Sequence, residues 1–188
     1  VFIIASCGIA YELIAAALAS YILGDSIFQF SSIIGCYLFA MGTGSYLSKY
    51  VKDHHALDVF IEIELLVGLI GGLSALALFL LFGWAHAPFR TILYSLVFAT
   101  GVLVGMQIPL VMRVLHAKKT AFAELVSRVL SFDSLGALAV SLLFPLVLAP
   151  YLGLARSALL FGLLNVGVAC LTLWVCRGEL QHPNRKMT

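Results

Sequence analysis

Charge is scarce in this chain: 11 Lys and Arg together with 9 Asp and Glu make up only 11% of its 188 residues. A soluble domain carries about 25%, so a water-exposed globule of this length is excluded. The four cysteines, Cys7, Cys36, Cys170 and Cys176, form no CxxC pair and lie in or at the end of apolar runs. They fit small core residues and exclude a disulfide framework. Walker, HExxH and glycine-rich dinucleotide sequences are all missing. The His54-His55 dipeptide has no cysteine nearby to complete a zinc site. No covalent nucleophile stands beside a base. From the chain itself no catalytic residue, no cofactor, no metal and no nucleic-acid partner are expected.

Apolar residues dominate instead, at 62% of the chain with a mean hydropathy of +1.08. Apolar segments recur from Val1 to Cys176, which a cleavable leader does not explain. The chain opens on Val1 rather than Met, so residues upstream are expected. About 20 apolar residues cross a hydrocarbon core as a helix. That length places spans at 1–23, 27–48, 59–83, 88–114, 125–149 and 154–176. The breaks carry turn or interface residues: Gly24-Asp25-Ser26, Lys49 to Asp58, Gly83 to Pro88, His116 to Thr120, and Pro150 to Gly153. Backbone groups in lipid must be satisfied internally, and the alternation of a barrel is absent, so the expected architecture is an all-α bundle of six transmembrane helices. The expected division is a membrane domain over 1–177 and a cytoplasmic tail over 178–188.

Basic residues partition between the breaks. Lys49, Lys52, Arg113, Lys118, Lys119, Arg128, Arg177, Arg185 and Lys186 fall on one side, leaving Arg90 and Arg156 on the other. The excess of Lys and Arg on cytoplasmic loops then puts both termini in the cytoplasm.

The two halves resemble each other. Leu66-Val67-Gly68-Leu69-Ile70 matches Leu160-Phe161-Gly162-Leu163-Leu164, and Ala10-Tyr11-Glu12-Leu13 matches Gly105-Met106-Gln107-Ile108 at nearly the same offset. Gly35 aligns more loosely with Gly136. Three crossings per unit make such a 3+3 repeat inverted, an arrangement frequent in transporters. The alternative is chance similarity among Leu/Gly/Ala-rich helices. Under the repeat, Glu12 and Gln107 occupy one site in two copies. Gly68/Gly72, Gly101/Gly105 and Ala40/Gly44 have the small-xxx-small spacing that lets helix backbones approach.

Polar groups at depth are the candidate functional residues. Glu12, beside Tyr11, lies mid-span, where a carboxylate is disfavoured by about 2.5–3.5 kcal/mol and usually faces protein or water. Asp133 and Ser134 lie about ten residues into the fifth span and, with Ser127, Ser131 and Ser141, make a polar stripe. Interhelical hydrogen bonding is the plainer reading for each. Glu62 and Glu64 open the third span at its cytoplasmic edge, where one is expected to pair with Arg113 or Arg128 and the other to be solvated. Pro109 releases a backbone carbonyl one turn earlier, next to Gln107. The candidate cation-binding set is Glu12, Tyr11, Gln107, Asp133 and Ser134.

Tyr11-Glu12-Leu13-Ile14, SSIIGCYLFAMGTG (Ser31 to Gly44), IELLVGLIGGLS (Ile63 to Ser74) and LSFDSLGALAVSLLFP (Leu130 to Pro145) resemble the N-terminal multi-pass domain of bacterial membrane-bound spermidine synthases. The resemblance runs in order through nearly the whole chain. It implies a bacterial inner-membrane location and, after the last helix, a cytoplasmic domain moving an aminopropyl group from decarboxylated S-adenosylmethionine to putrescine. That domain's glycine-rich cofactor loop and acidic residues are not in this chain, which is either an excised membrane domain or a stand-alone relative. Three roles follow. In the first the acids bind or pass a cationic polyamine, with Tyr11 offering a cation–π face. In the second the helices anchor an aminopropyltransferase to the bilayer. In the third the small-residue faces assemble a subunit or small channel, a homodimer being expected where six helices are few for a transporter.

Overall fold

The computed structural model describes residues 1–84, 89–116 and 122–180. Among them every regular element is helical: α1 (Phe2–Leu23), α2 (Ser26–Leu47), α3 (Ala56–Trp84), α4 (Phe89–His116), α5 (Phe122–Leu143) and α6 (Gly153–Leu180). The expected loop at Lys118 and Lys119, Pro88, and the tail with Arg185 and Lys186 lie outside the described residues.

α1 is apolar around its whole circumference, and such a helix belongs inside a bundle. Accordingly 67% of its most apolar stretch is buried, against 28–39% in the other candidate spans. It touches α2, α4, α5 and α6. The most extensive helix pairs are α2 with α4 and α3 with α6, followed by α3 with α4 and α1 with α5.

Small residues set these approaches. Gly105 meets the backbone of Met41, Gly44 meets that of Val102, and Gly101 packs on Ala40 and Tyr37, which seats α2 on α4. Gly136 of α5 meets the carbonyl of Phe2, and Ser6 Oγ donates to the Gly136 carbonyl at 3.2 Å. Gly68 and Gly162 face each other reciprocally. A Cβ on Gly68 would stand 2.9 Å from the Gly162 oxygen, and one on Gly162 would stand 2.7 Å from the Gly68 oxygen.

α1 stops at Gly24 (φ 72°, ψ −167°), and Asp25 (φ 44°) caps α2 by accepting from the Phe28 amide at 3.4 Å. At the other end of α2, 3₁₀ turns at Ser48–Tyr50 and Asp53–His55 lead into α3. Arg113, near the C-terminal end of α4, ties this link down. Its guanidinium donates to the Val51 carbonyl at 2.7 Å and lies 3.8 Å from the Asp53 carboxylate. Lys49 lies 3.4 Å over the Tyr46 ring at the same end of the bundle.

The expected span at 125–149 divides. α5 ends at Leu143, and Phe144–Leu152 continues as a wider π-type winding. Pro145 has no amide hydrogen for the Ser141 carbonyl, and Pro150 has none for Leu146, so the α-helical ladder cannot continue. Gly153 (φ 76°, ψ 170°) then turns the chain into α6. That backbone region is open essentially only to glycine, so Gly153→Ala is expected to lower stability by about 1–3 kcal/mol, read as an earlier melting transition in detergent.

Five helical stretches are long and apolar enough to cross a membrane: Phe2–Leu23, Ser26–Tyr50, Asp53–Gly83, Phe89–Leu115 and Ala123–Cys176. The last has 54 residues and contains both α5 and most of α6. α3 starts at Ala56 rather than 59 because the Asp53–His55 turn feeds it directly, and His55 lies 3.7 Å from Asp58 across its first turn.

Candidate functional site

Cys7 and Tyr11 occupy one face of α1, a turn apart, and look toward α3 and α6. The Cys7 thiol donates to the Phe161 carbonyl at 3.7 Å. The Tyr11 ring rests on Gly71, where any Cβ would stand 2.8 Å from it. Its hydroxyl accepts from Asn165 Nδ2 of α6 at 3.1 Å. Asn165 is fully buried, and its Oδ1 has no hydrogen-bond partner. Glu12 is buried on a different face, as the 100° step between adjacent helical residues requires. Nearby, Tyr37 of α2 donates its hydroxyl to the Gly8 carbonyl at 2.8 Å. Among the described residues no cation pairs with Glu12, Glu64 or Asp133.

Glu64 corrects the expectation of a solvated or arginine-paired residue at the edge of the third span. It has 0% exposure and accepts from Gln107 Nε2 at 2.9 Å. The arginines expected beside it go elsewhere: Arg113 to Asp53 and Val51, and Arg128 to Glu124, 2.6 Å away and one turn back. Glu62, two residues before Glu64, is exposed. α3 starts at Ala56 rather than 59, which sets Glu64 about two turns into the helix, opposite Gln107 of α4.

The polar stripe expected on α5 also divides. Leu125, Val129, Gly136 and Val140 form its buried face, and Asp133 lies on that face, half-buried. Ser127, Ser131, Ser134 and Ser141 lie on the exposed face, so Ser134 does not share Asp133's face. Ser131 satisfies its own hydroxyl by donating to the Ser127 carbonyl at 2.8 Å.

Two residues of the expected set do converge. Gln107 and Asp133 line one cavity of about 50 Å³ between α1, α2, α4 and α5, walled by Gly8, Met41, Val104 and Ala137. Gln107 has 1% exposure. Its Nε2 is held by Glu64, and its Oε1 has no partner. Glu64 Oε2 is likewise unpartnered. A buried acceptor without a donor costs about 1–3 kcal/mol, so Gln107 Oε1 and Glu64 Oε2 are two buried acceptors open to an N–H-bearing group. A second, smaller cavity of about 20 Å³ lies further along α1, lined by Tyr11, Tyr37, Ser74 and Thr100 among apolar side chains. Gly8 borders the first cavity and Tyr37 the second, so their hydrogen bond stands between the two.

These residues define an all-helical bundle, with helices able to cross a membrane and a polar layer closed inside it. The chain is 68% identical over 180 residues to polyamine aminopropyltransferase 2 of Ralstonia nicotianae, covering 96% of this chain and 35% of that protein. It is 53% identical over 175 residues to the polyamine aminopropyltransferase of Leptospira interrogans (93% and 34%) and 37% identical over 174 residues to that of Mycobacterium tuberculosis (88% and 32%). The chain thus spans about a third of the length of the curated relatives it matches. No family model matches it, and no solved structure matches it.

Proposed function

We propose that this chain is the multi-pass membrane domain of a polyamine aminopropyltransferase, and that its acidic interior binds a cationic polyamine or passes it through the bundle. In this reading the chain crosses six times, with both ends cytoplasmic, as two inverted units α1–α3 and α4–α6. The Ala123–Cys176 stretch, at 1.5 Å per residue, is more than twice the roughly 30 Å of a hydrocarbon core. Gly153 supplies the reversal between its two crossings. The packing supports the repeat as well. Exchanging the units turns the α2–α4 contact into α5–α1, and the α3–α4 contact into α6–α1, while Gly68 and Gly162 trade places in their mutual contact.

The observation that carries the binding reading is the cavity shared by Asp133 and Gln107, beside acceptor oxygens without donors. An ammonium group is small, brings three N–H donors and neutralises a carboxylate, so it answers each requirement of that cavity. Tyr11 lines the second cavity, and Glu12, buried on another face of α1 one turn beyond Gly8, is the acid nearest in sequence to both cavities without lining either.

The test is ligand-dependent melting of the detergent-solubilised protein against putrescine, spermidine and decarboxylated S-adenosylmethionine. Spermidine is expected to raise the melting temperature of the wild type. Asp133→Asn is expected to remove that rise, and Glu12→Gln to stop spermidine flux in proteoliposomes while the protein stays folded. No rise with any polyamine, or an unchanged rise in Asp133→Asn, rejects the site. If aminopropyl transfer by the full-length relative also survives deletion of these helices, the domain is an anchor.

A further inference from the structure

A groove of about 560 Å³ opens between α2 and α4 at the end of the bundle that carries the α1–α2 turn, lined by Cys36, Arg90, Thr91, Tyr94, Ser95 and Phe98. Arg90 lies on the first turn of α4, exposed, with its guanidinium 5.9 Å from the Phe28 ring centroid and 6.0 Å from that of Tyr94. Two aromatic faces therefore hold the cation in place without consuming its hydrogen-bonding edge. Tyr94 is fixed in turn, its hydroxyl 2.6 Å from Ser32 Oγ on α2. Among the described residues no carboxylate pairs with Arg90, and the groove lining contains none.

Polarity along the groove is ordered. The guanidinium and the Thr91 hydroxyl stand at the helix end. Ser95 follows a turn further in. Phe98 closes the inner end, its ring tilted 40° against that of Phe39 on α2 with centroids 6.2 Å apart and both rings exposed. A fixed cation with hydroxyls at the end of a membrane helix, giving way to exposed aromatic surface toward mid-depth, repeats the layout of a phospholipid, with headgroup phosphate outside and acyl chain within. We propose that this groove is a binding site for an anionic phospholipid. Arg90 takes the phosphate, Thr91 and Ser95 the glycerol–ester region, and Phe39 and Phe98 support an acyl chain. The site is separate from the Asp133–Gln107 cavity and does not depend on that cavity's ligand.

The experiment titrates the detergent-solubilised protein with phosphatidylglycerol, phosphatidylcholine or glycerol 3-phosphate, and reads retained lipid by native mass spectrometry alongside melting. Phosphatidylglycerol is expected to be retained and to raise the melting temperature, phosphatidylcholine less so, and glycerol 3-phosphate not at all. Arg90→Gln should weaken phosphatidylglycerol binding by about tenfold or more, the loss of one charge-assisted contact. Arg156→Gln, which removes the other exposed arginine expected on that side, should leave it unchanged. Phe98→Ala should weaken both lipids equally. Equal retention of both lipids by the wild type, or equal losses in Arg90→Gln and Arg156→Gln, overturns the proposal. So does a shift with glycerol 3-phosphate as large as with the lipid.

Discussion

Alanine at Gly105 is expected to lower the melting temperature of the solubilised protein sharply, whereas alanine at Gly35 or Gly42 is expected to raise it slightly. A methyl group on Gly105 runs into the backbone of Met41, and one on Gly44 into the backbone of Val102. Both clashes are with main chain, which has no rotamer to yield, so α2 and α4 must separate along their most extensive shared face. Overpacking of this kind costs about 1–3 kcal/mol even where side chains can adjust, and the larger end of that range is expected here. A Cβ at Gly35 or Gly42 meets nothing within 4 Å. There only the backbone entropy term remains, worth about 0.5–1 kcal/mol in favour of alanine. Melting curves of the four single alanine variants, at Gly35, Gly42, Gly44 and Gly105, check the sign as well as the size. If Gly105→Ala and Gly35→Ala shift alike, the helix pairing described here is wrong.

The second large effect is expected from Glu64→Leu on ligand binding as well as on folding. Glu64 is fully enclosed and touches the candidate cavity only through Gln107, whose Nε2 it holds at 2.9 Å. That bond decides which end of the amide is committed and leaves Oε1 as the oxygen available to a ligand. With leucine in place of Glu64 the amide can turn over and present N–H groups where a cation needs an acceptor. Spermidine affinity, read by ligand-dependent melting, should fall by about tenfold to a hundredfold, since 1.4 kcal/mol is a factor of ten and a bond to a charged group is worth about 1.5–3 kcal/mol. Stability should fall by about 1–3 kcal/mol, the cost of leaving Gln107 Nε2 buried without its acceptor, and the comparison with Glu64→Gln separates that loss from the loss of affinity. Glu64→Gln keeps an acceptor for Nε2 and should retain most of the affinity. Equal losses in the two variants would show that the charge itself binds the ligand and that Glu64 is not a positioning residue.

The helices were legible because each is a long apolar run ended by chemistry that stops helices: Gly24-Asp25 after the first, the 48–55 stretch after the second, and Gly153 before the last. Close packing was legible from Gly68, Gly101, Gly105 and Ala40/Gly44, whose spacing is a property of one helix face. Hydropathy does not reveal where an α-helical ladder loses its donors in succession, so the wider winding at Phe144–Leu152 was hidden behind an apparently continuous span at 125–149.

At the candidate site the outcome was divided for one physical reason. A residue's type can be read from sequence, but its azimuth on a helix that is apolar all round cannot. Tyr11 and Glu12 are neighbours in sequence and face different helices. Asp133 faces inward while Ser134 is exposed. Asn165 gave no signal as a partner for Tyr11, because a lone amide in an apolar run has no visible mate until α6 is laid against α1. Glu64 looked like an edge residue because Glu62 and Asp58 precede it. Burial in the core decided otherwise.

By itself the sequence determined that this protein is helical, apolar enough for a bilayer, and supplied with a few acids and amides too costly to leave facing lipid. Those are consequences of composition and local spacing. Which of those groups meet was decided only in three dimensions. Gln107 reached Glu64 from 43 residues away and came to share a cavity with Asp133, and Tyr11 reached Asn165 from 154 residues away. Such contacts depend on how helices rotate about their own axes, and that rotation is set by where glycines let two backbones touch.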